Sequence, residues 1–337
     1  MKKQYLMLSV LGALAIVLTA FSYQSRQGAL DGLMMSINTI IPSLLPLLII
    51  FLLIMKSGAR DALGRLFGFV AVKLFNLPHS AITAIVLGLV GGYPTGALLT
   101  KELFDSGDIS ANQARRIMRF NFCGGCGFII TALGTARLGS SSAGLILFAS
   151  NVISAIVIGF ALSFIEKRER MEFYSFSPNS NGLDVLNDAT LSAVRSVLSI
   201  TAIVTLFSAF TAIVPISDTL LPLIEITSGL CGRADFSITQ TAAYLSFGGI
   251  CIHLQILGTI KQFGMKYFDF FCFRIIGAVI SYGAAWLLAR IFPSDVPVFS
   301  SIAQPIEASS MNTALSVLMI LGCFVIVLDV REKKIRI

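Results

Sequence analysis

Polar and apolar positions alternate along this chain in long blocks, with no short-period pattern. After Lys2 and Lys3 an uncharged stretch runs from Gln4 to Gln24. Further apolar runs follow at Ile37–Met55, Ala81–Leu99, Ala143–Ile165, Arg195–Val214, Ile238–Ile260, Phe268–Ile291 and Met311–Leu328. Runs of about 17 to 24 apolar residues match the thickness of a bilayer core. The pattern predicts an all-α polytopic membrane protein with about eight transmembrane helices. Two further stretches are too short and too interrupted to cross and are expected to be re-entrant: the Asn121 region, Phe120–Thr131, and Pro215–Ala234. The first segment reads as an uncleaved helix with a cytoplasmic N-terminus, a signal peptide cut near Thr19-Ala20 being the alternative.

Several of the apolar runs are broken. Gly88-Leu-Val-Gly-Gly-Tyr-Pro-Thr-Gly96 carries four glycines and a proline, and Ser246-Phe-Gly-Gly-Ile-Cys-Ile-His-Leu-Gln255 repeats the diglycine. Glycine frees the backbone and proline withholds a donor, so a continuous helix is poor at both places. In lipid the released backbone groups need partners within the protein or a watery cavity, so a break at membrane depth is tolerated mainly where it lines a site. Pro94 suits the first turn of a new helix, whose free N–H groups would face that site and favour an anion. Asp31 with Asp188 and Gly91-Gly92 with Gly248-Gly249 share one spacing. The order helix then broken helix therefore suggests two related halves in opposite orientation, an inverted repeat of the kind transporters use. The expected division is 1–28 N-terminal membrane helix, 29–170 first repeat, 171–187 linker, 188–292 second repeat, and 293–337 C-terminal helix with a basic tail. Pro42 and Pro46 predict a kink near the start of the second span.

Composition agrees: 55% hydrophobic, 13% charged and a mean hydropathy of +0.85 in 337 residues. The net charge of +7 sits between apolar runs, at Lys56–Lys73, Lys167–Arg170 and Arg331–Arg336, where topology determinants belong. This argues against a nucleic-acid partner and places both termini in the cytoplasm. The basic stretch from Lys56 to Pro78 is expected on that side, with an interfacial helix in it. Six cysteines form no disulfide ladder and are expected as reduced thiols. Cys123-Gly-Gly-Cys126 supplies only two metal ligands, so neither metal nor redox chemistry is expected. Nucleotide-binding and hydrolase motifs are lacking, and an enzyme is not expected.

The candidate substrate-binding residues are Gly91, Gly92, Tyr93, Thr95, Asn121, Glu225, Thr227, Ser228, Ser246, Gly248, Gly249, His253 and Gln255. Glu225 is an acid with apolar neighbours on both sides: either a proton or cation coupling group, or an interfacial loop residue. His253 either lines the cavity with Gln255 or bonds a neighbouring helix. Asn121 either contacts a polar solute or caps a helix.

The elements Ile41-Pro-Ser-Leu-Leu-Pro46, Gly91-Gly-Tyr-Pro-Thr-Gly-Ala97, Glu225-Ile-Thr-Ser-Gly229 and Ser246-Phe-Gly-Gly-Ile-Cys-Ile-His-Leu-Gln255 together resemble the YlbJ/SpoVV family of sporulation integral membrane proteins. That family lies within the broader nucleoside-recognition (Gate) domain group. The resemblance spans roughly residues 30 to 290. It implies a fold related to concentrative nucleoside transporters and a role in moving dipicolinate across the outer forespore membrane. Where the family pattern has a Gly-Pro type of break after Asn121, this chain has Cys-Gly-Gly-Cys, which leaves the contacts of that loop open. The expected partners are a small-molecule anion and the lipid bilayer, either of the bacterial cell membrane or of the outer forespore membrane. No cofactor is expected, a coupling proton or cation being left open. A nucleoside as solute, or a structural or signalling role without transport, are the alternatives.

Overall fold

The computed structural model describes residues 2–165, 182–214, 216–232 and 235–292. Residues 171–181 of the expected linker, the basic cluster after Ile165, the last span and the C-terminal tail lie outside these residues, and 182–187 of that linker are the start of the helix Gly182–Thr211. The described chain is helical throughout, and five stretches are long and apolar enough to cross a membrane: Ser22–Met55, Ser141–Ile165, Leu183–Thr211, Ile238–Gln262 and Tyr267–Ile291.

Helix α1 (Lys2–Ala20) passes through Phe21 into α2 (Ser22–Met35), which continues through a wide π-helical turn, Ser36–Ile40, into α3 (Ile41–Met55). The turn lies just before Pro42, where the missing N–H leaves a carbonyl of the preceding turn without its usual donor. Helix α4 (Ala59–Phe75) fills the basic stretch after α3 and ends at Asn76, whose φ of 52° is left-handed. Its Arg60 is buried and pairs with Asp108 at 2.9 Å.

Helices α5 (Ala81–Gly91) and α6 (Tyr93–Asp105) do not form one broken crossing, as the hydropathy had suggested. They fold back on each other as a hairpin. Gly92, with φ 99° and ψ −171°, turns the chain in a conformation that L side chains rarely adopt. At about 1.5 Å per residue, α5 is about 16 Å long, half the hydrocarbon core. The two arms touch: a methyl group on Gly88 would lie 2.8 Å from the Gly96 Cα. The Asn121 side chain wedges beside them and donates to the Ala84 carbonyl at 2.9 Å.

Helix α7 (Ala111–Phe120) begins with a reciprocal Ser110/Gln113 capping box and is followed by the irregular residues 121–125 and a second π-helical stretch, Gly127–Arg137. This segment does not turn back, contrary to the re-entrant reading of the Asn121 region. Beyond it come α8 (Ser141–Ile165), α9 (Gly182–Thr211), α10 (Leu221–Ile224), α11 (Ile226–Cys231), α12 (Ile238–Phe247), α13 (Gly249–Gln262) and α14 (Tyr267–Ile291). Arg115 reaches the Phe263 carbonyl just past the end of α13, at 2.9 Å. Arg137 reaches the Gly232 carbonyl and the Asp235 carboxylate just before α12, at 3.2 and 3.3 Å. The 111–137 segment therefore runs the full length of the α12–α13 span in the opposite direction. Its arginines hid this: Arg119 pairs with Asp269 at 2.8 Å and Arg116 donates to the Phe75 carbonyl, so both are held against protein.

The hairpin expected within Pro215–Ala234 is present as α10 and α11, turning at Glu225. The two hairpins enter from opposite ends. Phe104, at the end of α6, meets the Phe263 ring at 5.2 Å, whereas the α11 end lies at Arg137.

Candidate functional site

The hairpin tips meet in the interior. Tyr93 opens α6, and its hydroxyl donates to the Leu245 carbonyl, one turn before the break in α12–α13 at Gly248. Its ring packs against Phe122 of the irregular 121–125 segment at 4.8 Å. Gly248 has φ 89°, and a side chain there would strike Phe122 at 2.5 Å. Gly249 packs against Pro222 and Ile226 of the other hairpin. Both diglycine breaks thus sit at one locus, separated by the Tyr93 and Phe122 rings.

A cavity opens beside this locus. About 80 Å³ of it admits the centres of water molecules, room for several waters or a small solute. Its walls come from α3 (Ser43, Leu44, Leu47), the first hairpin tip (Gly91–Pro94), the second (Ile226, Thr227), α9 (Ile200, Val204) and α13 (Ile252, Gln255). Ile40, Val90, Gly125, Gly127 and Phe128 complete the lining. Among the described residues no charged side chain lines it.

Of the residues nominated from sequence, Gly91, Gly92, Tyr93, Thr227 and Gln255 line the cavity. The others stand behind it. Thr95 is wholly buried, and its hydroxyl has no hydrogen-bond partner. Asn121 holds the first hairpin as described. Glu225 is fully buried, and its two carboxyl oxygens accept the N–H groups of Thr227 and Ser228 at 2.9 and 2.6 Å, capping α11. Ser246 is buried against Gly277 of α14. His253 is fully buried, bonding the Phe247 carbonyl at 2.9 Å and the Tyr267 hydroxyl at 3.1 Å within a ring of phenylalanines. Gly248 and Gly249 shape the break and do not reach the lining.

Sequence reasoning missed two residues. Ser43 lines the cavity from the Ile-Pro-Ser motif, with its hydroxyl donating to the Thr39 carbonyl at 2.6 Å. Arg274 of α14 is 1% exposed, donates to the carbonyls of Arg119 and Phe122, and lies 4.6 Å over the Phe122 ring. It has no carboxylate partner among the described residues. It caps the end of α7, where a cation opposes the helix dipole. An arginine well inside the Phe268–Ile291 apolar run, unlike Arg290 at its end, was the signal that would have found it.

These features define a polytopic α-helical integral membrane protein in which two hairpins and two interrupted helices converge on an interior cavity. The chain is similar to the sporulation integral membrane protein YlbJ of Bacillus subtilis (strain 168), 23% identical over 342 aligned positions that cover 86% of this chain and 84% of that protein. The alignment bears out the resemblance to the YlbJ family along most of the chain. No protein-family model matches the chain, and no solved structure matches it.

Proposed function

We propose that this protein carries a small organic solute across its membrane, with dipicolinate crossing the outer forespore membrane during sporulation as the leading case. The observation that supports this is the cavity at the meeting of the two hairpin tips, where irregular backbone at membrane depth has a cavity to line. The start of α6 opens on the cavity and favours one carboxylate there. The start of α11 is already occupied by Glu225, so the opposed pair of free helix starts expected for a dicarboxylate reduces to one.

The reading includes an inverted repeat related to that of concentrative nucleoside transporters. Its support is the antiparallel course of two ten-residue helices with matching Ser-x-x-Gln boxes, α7 and α12, each leading into a break. Each is preceded by a hairpin and followed by a 25-residue helix, α8 or α14. This pairs Gly248 with residues 121–125 in place of Gly92. The wider reading keeps about eight crossings, both termini in the cytoplasm and no enzymatic step. A nucleoside is the second reading, favoured by a lining without charge and by the Gln255 carboxamide.

Uptake of dipicolinate and of nucleosides into proteoliposomes tests the proposal. Gly127→Leu fills the cavity with little steric cost, since a Cβ there meets only Ser43, at 3.4 Å. Gly258→Leu adds the same side chain where nothing lies within 4 Å. Uptake lost in the first variant and kept in the second supports transport through this cavity. Inserted protein that takes up neither solute, or uptake indifferent to Gly127→Leu, overturns it.

A further inference from the structure

We infer that α4 carries a docking face for anionic phospholipid, held by Arg65 and Lys73 among the headgroups of one leaflet. The inference goes beyond the transport reading and does not depend on it.

Helix α4 lies across the end of the bundle. Arg60, in its first turn, pairs with the Asp108 carboxylate just before α7. Phe75, its last residue, accepts from Arg116 of α7 through its carbonyl. Between these two ties, Gly64 and Gly68 both pack on His79, at the base of the first hairpin. A 17-residue helix is about 25 Å long, and laid along the bundle axis it would cover most of a hydrocarbon core. Both of its ends instead meet the short stretch 108–116. The hairpin tip is at the interior cavity, and α5 extends about 16 Å from it. The hairpin base, and α4 with it, therefore lies near the boundary between hydrocarbon and water.

The sides of α4 differ. Gly64, Gly68, Ala71 and Phe75 are buried against the protein, and Leu66, Phe69 and Lys73 are exposed on the opposite side. Arg65 and Phe67 are exposed on the two flanks. Neither Arg65 nor Lys73 has a hydrogen-bond or ion-pair partner among the described residues. Neighbouring cations at this end are satisfied within the protein: Lys56 by Asp188, Arg60 by Asp108, Lys101 by Asp105 and Arg119 by Asp269. The acid nearest in sequence, Asp61, is half-buried one turn before Arg65 and pairs with neither cation. Arg65 and Lys73 stand about 12 Å apart along the helix, with Leu66 and Phe69 between them. Free cations interleaved with apolar side chains match a phosphodiester that carries acyl chains. A soluble acidic partner would leave the acyl-like contacts of Leu66 and Phe69 unused. A zwitterionic lipid would bring its own cation beside Arg65 and Lys73.

The test is lipid retention by the full chain, delipidated in non-ionic detergent and incubated with phosphatidylglycerol or phosphatidylcholine. Retained lipid is counted by native mass spectrometry. The wild type is expected to hold phosphatidylglycerol over phosphatidylcholine by at least about fivefold. Replacing both cations, Arg65→Gln with Lys73→Gln, should abolish the preference, and Lys261→Gln, at the exposed end of α13, should keep it. Each single change, read as a partial loss of preference, replaces the double variant if that does not fold. Millimolar inorganic phosphate should leave the bound lipid in place, because it lacks the acyl chains that Leu66 and Phe69 contact. Equal retention of the two lipids, retention of neither, or a preference that survives removal of both cations overturns the inference. Displacement by inorganic phosphate overturns it as well, since the face would then read phosphate alone.

Discussion

The Tyr93 hydroxyl, at the tip of the first hairpin, donates to the Leu245 carbonyl in the last turn of α12, joining elements far apart in the chain at the centre of the molecule. The bond satisfies a carbonyl near the end of a helix interrupted inside the membrane. It also holds the ring that forms one wall of the cavity.

Tyr93→Phe keeps the ring against Phe122 and removes only this bond. It is expected to lower stability by about 1 kcal/mol, leaving Leu245 without that donor. Thermal unfolding in detergent should show a fall of about 2–4 °C. An unchanged midpoint would mean that the hydroxyl contributes nothing to holding the tips together.

Glu225 caps α11 with both carboxyl oxygens. Glu225→Ala strips both acceptors from a buried helix start and is expected to cost about 1–2 kcal/mol. Glu225→Gln keeps one oxygen as an acceptor and should fall between the two. Equal stability of all three proteins in a denaturation series would remove the capping role.

Arg274 ties the end of α7 to α14 through two carbonyls. Lysine retains the charge but not the planar fork, so Arg274→Lys should lose one of the two contacts and about 1.5–3 kcal/mol. The loss is read as a lower unfolding midpoint together with faster proteolysis of the 121–126 stretch. Wild-type resistance to protease in this variant would show that charge alone holds the α7 end.

Lys56, just past α3, sits between Asp188 of α9 at 2.5 Å and Glu102 of α6 at 3.5 Å. Burial would lower its basicity, but the Asp188 hydrogen bond and the two carboxylates outweigh it and hold the ammonium above its ordinary value of 10.5. A raised folded value stabilises the fold fully below that ordinary value, and the contribution is lost as pH rises through the folded one. Because the Asp188 side chain is 64% exposed, the network is worth no more than about 1 kcal/mol. Lys56→Met should therefore lower the unfolding midpoint by a small, constant amount between pH 6 and 9, a gap that closes in strong alkali. A gap that opens only on raising the pH would contradict the pairing.

The legible part of the site was the part with a local cause. The break at Gly91-Gly92, the helix start beside Pro94 and the interruption at Gly248 follow from residues that continue a helix poorly, and the second hairpin was expected because the run Pro215–Ala234 is short and interrupted. Arg274 and the traverse of 111–137 were obscured because arginines read as surface residues until their carbonyl and carboxylate partners are known.

Hydropathy and helix-breaking residues alone determined the membrane class and most of the places where helices stop. Whether the chain turns back or carries on at the Gly92 and Asn121 breaks was decided only by tertiary structure. A break frees the backbone without aiming it, and the aim comes from distant partners: Asn121 on Ala84 folds the first hairpin, and Arg137 on Gly232 and Asp235 draws the 111–137 segment across. The cavity belongs to the same level, since its walls are gathered from stretches that meet nowhere in the sequence.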